Sequence, residues 1–159
     1  MIKHIAAIVL AATSFAASAA DVTTNFYLGA DVGRTKVDGL NHDTSVGVFA
    51  GYDFNENFAA EVSYRDMGKF NLWGYGVNMK QTAVSVIGSA PIGSGVSVFG
   101  RLGYNRLSAE VGGHSNHDNG GLYGIGLGYA FNKNVSARVE YQRPASDTSN
   151  LGVAVSYKF

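Results

Sequence analysis

From Tyr123 to Phe131 every second residue is large and apolar: Tyr123, Ile125, Leu127, Tyr129 and Phe131. Every residue between them is Gly or Ala: Gly124, Gly126, Gly128 and Ala130. The same period of two runs through 46–54, where Val46, Val48, Ala50, Tyr52 and Phe54 alternate with Gly47, Phe49, Gly51 and Asp53. It returns in 151–159, where Leu151, Val153, Val155, Tyr157 and Phe159 alternate with Gly152, Ala154, Ser156 and Lys158. Successive side chains of a strand point to opposite faces, so these are strands with one apolar face. A soluble sandwich would bury that face and place charge on the other. Here the second face is mostly Gly, Ala and Ser with isolated charges, which suits the narrow interior of a barrel. The chain's 21 Gly, 9 Tyr, 9 Phe and 2 Pro fit strands of this kind.

The alternation predicts eight strands over 25–34, 46–54, 57–65, 82–90, 96–105, 122–131, 135–142 and 151–159. Lengths near nine or ten residues are what a tilted membrane strand requires. Short links join alternate pairs: "DFNEN" at 53–57, "APIGSG" at 90–95 and "FNKN" at 131–134. The other connections, 35–45, 66–81, 106–121 and 143–150, are long and polar. Short turns at one end and long loops at the other predict an all-β, eight-stranded antiparallel up-and-down transmembrane barrel. Aromatic rings fall at strand ends, with Tyr52, Phe54, Tyr129, Phe131, Tyr157 and Phe159 beside the short links and Tyr64, Tyr104 and Tyr141 at the opposite end. Two such bands are the girdles that membrane interfaces favour. Closure also satisfies every backbone group in lipid without a helix.

Residues 1–20, "MIKHIAAIVLAATSFAASAA", read as a secretory signal: Lys3, an apolar run from Ile5 to Ala12, and small residues at Ala17–Ala20. Cleavage after Ala19 or Ala20 would release the barrel domain, 21–159. Beyond that segment no apolar run approaches the ~18 residues of a transmembrane helix. The chain has no Cys, which places it outside the disulfide-stapled secreted domains. Twelve Lys and Arg balance twelve Asp and Glu without a basic run, so nucleic acid is not an expected partner.

One stretch is written twice: "GYDFNENFAAEVSY" at 51–64 and "GYAFNKNVSARVEY" at 128–141 agree at eight of fourteen positions. Each is a strand end, a short turn and the next strand. The ascending strands carry a charge at inward parity, in the order Asp31, Glu61, Arg101, Arg138. In a closed eight-stranded barrel the third strand faces the seventh and the first faces the fifth. Glu61 is therefore expected to face Arg138, and Asp31 to face Arg101, with Glu140 adding a nearby carboxylate. Buried charges require such pairing, and the Arg fork suits carboxylates across a tight lumen. The pairs either fill and rigidify the barrel or form a gate whose partners exchange.

The stretches "FYLGADVGRT", "GVFAGYDFNENF", "PIGSGVSVFGRLGY" and "LGVAVSYKF" resemble the eight-stranded OmpA-like outer-membrane barrels along essentially all of 21–159. The resemblance implies an integral protein of the bacterial outer membrane and inward charges that pair across the lumen, at Glu61, Arg101, Arg138 and Glu140. It also implies that Leu151, Val153, Val155, Tyr157 and the final Phe159 form the signal read by the barrel-assembly machinery of Gram-negative bacteria. The fourth strand, "TAVSVIGSA", departs from the family in carrying no Lys or Arg, so a basic exchange partner is missing there. No peptidoglycan-binding domain follows Phe159 in this sequence.

These features point to a non-enzymatic, monomeric barrel supporting envelope integrity, without metal or cofactor and in contact with outer-membrane lipid and lipopolysaccharide. An alternative is a surface adhesin or host-ligand-binding barrel, for which Phe70, Leu72, Trp73 and Tyr75 in the second loop are candidate contacts. A small gated pore is weaker, because eight strands leave an interior that side chains fill. A lipid-modifying enzyme is weaker still. "VGGHSNHDNGG" gathers His114, Ser115, His117 and Asp118, but neighbouring letters are not a triad. His114 and His117 as metal ligands lack a clear third partner.

Overall fold

The computed structural model describes residues 25–37, 43–72, 75–111 and 114–159, with side chains described for 25–37, 43–68, 79–108 and 117–159. The strands are β1 (Phe26–Val37), β2 (Asp43–Asp53), β3 (Phe58–Leu72), β4 (Tyr75–Gly93), β5 (Val96–Val111), β6 (His114–Ala130), β7 (Val135–Ala145) and β8 (Thr148–Lys158). Each pairs antiparallel with its sequence neighbours, and β8 returns to β1, closing the barrel. Apolar residues alternate outward: Val32, Val62, Leu102, Ile125, Val139 and Val153 are each about half exposed or more. That surface is left without a protein partner because lipid is its partner.

The strands run longer than the sequence alternation predicts. The stretches expected to loop at 66–81 and 106–121 continue as paired hairpins, out to Leu72↔Tyr75 and Val111↔His114. Beyond the upper tyrosines the outward positions turn polar, at Asp66 and Arg106, while the inward Met67 and Leu107 are buried, so the outward-apolar alternation ends while backbone pairing continues. The connection at 143–150 likewise narrows to a turn between Ala145 and Thr148. Among the described residues, ladder pairing on the outer sides of the tall hairpins stops earlier: β3 pairs with β2 only up to Asp66, and β6 with β7 only up to Tyr123. A bulge between Asp66 and Gly68 adjusts the register. Gly68 sits at φ 96, and the Asp66 carboxylate accepts its N–H at 3.0 Å. Met67, the extra residue, is fully buried.

At the short-turn end the duplicated stretch builds the same turn twice. Asn55 Oδ1 accepts the N–H of Asn57 and Phe58 at 2.8 and 2.9 Å. Asn132 Oδ1 accepts those of Asn134 and Val135, both at 2.8 Å. The second Asn then reaches the neighbouring strand: Asn57 Nδ2 donates to Ser89 O at 2.9 Å and Asn134 Nδ2 to Lys158 O at 2.8 Å. Asn side chains favour this local bonding over ladder continuation, so "FNxN" both turns the chain and pins the next strand.

Candidate functional site: the charged lumen

Four inward residues form a closed ring of ion pairs at mid-barrel. Glu61 on β3 meets Arg138 on β7 through two bonds, Nη1 to Oε2 at 2.8 Å and Nη2 to Oε1 at 3.0 Å. Its Oε1 also lies 2.7 Å from Arg101 Nη1. Arg101 on β5 grips Glu140 on β7 with Nε at 2.5 Å and Nη2 at 3.1 Å, and donates to Ser85 Oγ at 2.7 Å. Arg138 Nε is 3.6 Å from Glu140 Oε2, which closes the ring. The two carboxylates and two guanidiniums sum to zero charge. Glu61 and Arg101 are almost wholly buried, at 2% and 1% exposure.

A second pair lies beside the ring. Arg65 Nε donates to Asp31 Oδ1 at 2.9 Å, and its Nη1 reaches Gln142 Oε1 at 2.9 Å and Gln81 Oε1 at 3.3 Å. Farther toward the tall hairpins the lumen carries neutral bonds: Asn150 Nδ2 to Thr35 Oγ1 and Ser45 Oγ, and Asn105 Nδ2 to Pro144 O. Toward the short turns the ring rests on an apolar cluster of Tyr27, Phe49, Ala59, Ile87, Phe99 and Ala154. The Arg138 guanidinium lies 4.1 Å from the Phe49 ring centre, a cation–π contact, and the Tyr27 hydroxyl donates to Glu61 Oε2 at 3.1 Å.

Glycine makes these meetings possible. The ladder sets Tyr27 opposite Gly51 and Gly51 opposite Glu61, and likewise Asp31 opposite Gly47 and Gly47 opposite Arg65. With no side chain on the middle strand, the residues on either side touch across it. A Cβ on Gly51 would overlap the Tyr27 ring, and one on Gly47 would lie 2.6 Å from the Asp31 carboxylate. Strands β5, β6 and β7 repeat the device, with Phe99 packed onto Gly126 and Glu140 against Gly124.

The structure thus brings Glu61 and Arg138 together, with Arg101 and Glu140 in the same ring, but it does not join Asp31 to Arg101. Counting strands around the barrel neglects their stagger. Asp31 instead meets Arg65, which the alternation leaves at a strand terminus. The missed signal is Arg65's inward parity with Glu61, combined with Gly47 on the strand between. The girdle residues Tyr52, Phe54, Tyr64, Tyr104, Tyr129, Phe131, Tyr141 and Tyr157 are all exposed. Edge-on ring pairs at 5.5, 5.0 and 5.4 Å join Tyr52 to Phe54, Tyr129 to Phe131, and Tyr157 to Phe159. Leu151, Val153 and Val155 face outward on β8.

Of the candidate loop contacts, Phe70, Leu72 and Tyr75 lie on the β3–β4 hairpin rather than in a loop, and Trp73 lies outside the described residues. His114 and Ser115 stand on β6. The serine hydroxyl beside His117 is Ser108, at 3.0 Å from Nδ1.

Two cavities flank the ring. One of about 280 Å³ opens among the short turns and is lined by Tyr27, Phe99, Ser97, Ser136, Arg138 and Lys158, among others. At that end Lys158 Nζ lies 2.6 Å from Asp53 Oδ2. The other, about 10 Å³ between Asp31, Arg65, Arg138 and Glu140, has room for at most about one water.

A family model described as the outer membrane protein beta-barrel domain matches residues 5–159. No curated protein matches the chain in sequence. Among solved structures, neisserial surface protein A is 21% identical, with a TM-score of 0.62, over 86% of this chain and 98% of that one. Ail, the attachment invasion locus protein of Yersinia pestis, in complex with the heparin analogue sucrose octasulfate, is 19% identical, with a TM-score of 0.57, over 84% and 96%. The N-terminal β-barrel domain of Pseudomonas aeruginosa OprF is 16% identical, with a TM-score of 0.59, over 86% and 98%. At these identities the likeness is one of fold.

Proposed function

Because the chain belongs to the outer membrane protein beta-barrel family, we propose that it is a sealed, non-enzymatic barrel of the bacterial outer membrane that supports envelope integrity and displays two tall hairpins. The closed ring of Glu61, Arg101, Glu140 and Arg138 carries this reading. Every charge in it has two partners, and moving one aside would leave the nearly wholly buried Glu61 or Arg101 short of a partner, at about 3–5 kcal/mol for a broken buried pair. With the Asp31–Arg65 pair beside it, the lumen is plugged. Residues 1–20 would be removed on export, and Leu151, Val153, Val155, Tyr157 and Phe159 would be read by the assembly machinery. The barrel then works as a monomer, since closure leaves no sheet edge at membrane level.

Planar-bilayer recording of the refolded chain tests the seal. A silent bilayer is expected, with folding checked by the gel shift between unboiled and boiled samples. Discrete, reproducible conductance steps from folded protein would refute the plug. A deletion strain should become sensitive to detergents and bile salts if the envelope role is right.

A second reading, ligand display, is favoured by β3–β4 and β5–β6 continuing as paired hairpins beyond their neighbours. Phe70, Leu72 and Tyr75 lie near the end of one of them. Ail, similar in fold, has been captured with a heparin analogue. Loss of host-cell attachment on replacing these three residues with Ser, in a folded barrel, would support display over a purely structural role.

A further inference from the structure

The two copies of the repeated stretch differ in how the lumen beside them is filled. In the first, Tyr27 stands opposite Gly51 and Gly51 opposite Glu61. The Tyr27 phenol lies over Gly51, and its hydroxyl donates to Glu61 Oε2 at 3.1 Å. In the second, Ser97 stands opposite Gly128 and Gly128 opposite Arg138. A serine has no aromatic group to lay over Gly128, and its Oγ stops 2.8 Å from where a Gly128 Cβ would be. Ser136 and Ser156 are just as short, and their hydroxyls bond to each other at 2.7 Å. The place that an aromatic side chain takes in one copy is, in the other, part of the cavity of about 280 Å³ that opens among the short turns. Phe99, Ile87 and Ala59 of the apolar cluster line it.

We propose that this cavity binds a small aromatic carboxylate, with the aromatic group inward and the carboxylate at the mouth. Apolar walls with a few polar groups, in a volume near the ~300 Å³ lower end of ligand pockets, suit a small amphipathic molecule. Charge decides which one. Arg138 at the inner end is already held by Glu61 and Glu140. A further carboxylate driven against it would lose its water without gaining a free cation. A neutral aromatic group meets no such cost, and the guanidinium already lies over the Phe49 face, the kind of surface that attracts it. At the mouth, Lys158 Nζ is taken up by Asp53 at 2.6 Å. Lys133, in the β6–β7 turn, lines the same cavity and has no hydrogen-bond or ion-pair partner among the described residues. A carboxylate beside Lys133 keeps part of its water while the aromatic group reaches inward past Ser97 and Gly128 to Phe99. An ammonium group there would face two lysines and a carboxylate that is already engaged. The first copy carries Glu56 where the second has Lys133, so the copy left open is also the cationic one. The cavity lies on the short-turn side of the charged ring, so this inference does not depend on the lumen being sealed.

The test is titration of the folded chain in phosphatidylcholine nanodiscs with hydrocinnamate, followed by amide NMR shifts. Hydrocinnamamide and phenethylamine serve as the neutral and cationic counterparts. Saturable shifts are expected at Gly95, Ser97, Gly128 and Ser136, with the carboxylate bound most tightly and the amine least. Lys133→Gln should weaken the carboxylate about two- to fivefold, as for loss of an exposed ion pair, and leave the amide unchanged. Ser97→Phe supplies the second copy with the aromatic group that the first already has. It should weaken binding of the carboxylate and the amide by more than about tenfold, because the space that buries their phenyl group is taken. Four results would overturn the proposal: undiminished binding by S97F, equal binding of the amine, equal loss of carboxylate and amide in K133Q, or shifts confined to outward residues such as Ile125 and Leu127, which mark partition into lipid. A gel shift confirms folding of each variant. Ser97→Leu fills less of the cavity and should give a loss in the same direction if S97F does not fold.

Discussion

Gly51–Tyr64 and Gly128–Tyr141 fold alike at the backbone and oppose each other in charge. In both, a first Asn closes the turn and a second Asn ties the next strand, with matching distances within 0.1 Å. Four residues past the second Asn the copies part: Glu61 in one and Arg138 in the other, bonded to each other across the lumen. Turn geometry is a local problem with one good solution, so it is repeated. Charge in a closed lumen must be neutralised by something across it, so there the copies must differ. The glycines that open the copies diverge in the same sense. A methyl on Gly51 would run into the Tyr27 ring, whereas one on Gly128 would come close only to Ser97 Oγ, at 2.8 Å.

The largest expected effect comes from breaking the charge complementarity. Glu61→Gln leaves Arg138 and Arg101 without a carboxylate they share, and should lower stability by about 3–5 kcal/mol, read as a fall in the urea midpoint of the barrel in lipid vesicles. The exchange E61R/R138E distinguishes a ring from an isolated pair. In an isolated pair the exchange restores the attraction and the midpoint recovers. In the ring, Arg at 61 meets Arg101 and Glu at 138 meets Glu140, so the double variant should stay at least as unstable as E61Q. Recovery to the wild-type midpoint would show that the Glu61–Arg138 bond stands alone.

The same distinction explains what the sequence made legible. Lipid forces an apolar outer face, so the eight strands can be read from period-two alternation and the girdles from Tyr52, Tyr129 and Tyr157. Parity and strand order set Glu61 against Arg138, whose guanidinium bonds both Glu61 oxygens across the lumen. They do not suffice for Asp31. Its contact with Arg65 passes over Gly47 and depends on stagger, which alternation does not encode. Strand ends are hidden for a related reason. Past Tyr64 and Tyr104 the outward residues Asp66 and Arg106 are polar while Met67 and Leu107 are buried inside, so the outward-apolar alternation ends in "RDMGKFNL" and "NRLSAEV" even though their backbones remain paired.

An intermediate effect should separate the two opening glycines. Gly51→Ala drives a methyl into the Tyr27 ring, whose hydroxyl is bonded to Glu61, so ring and carboxylate must both move. Overpacking of this kind costs about 1–3 kcal/mol. Gly128→Ala meets only the end of a serine side chain, which can rotate away, and should cost less than about 1 kcal/mol. Equal falls in urea midpoint would mean that the lumen yields around Tyr27 and that the two walls are packed alike.

The smallest effect tests the half of the comparison that is conserved between the copies. Asn55→Ala and Asn132→Ala each remove an acceptor for two turn N–H groups while leaving the lumen untouched. The turns are exposed, so water takes over the freed donors and each substitution should cost only about 1 kcal/mol. The costs should also be equal, because the two side chains make the same bonds to the same positions. Unfolding and refolding of the two variants side by side in urea would measure this. A clear excess for either one would mean that its turn depends on the charged wall it leads into, making the repeat one of sequence and geometry but not of energetics.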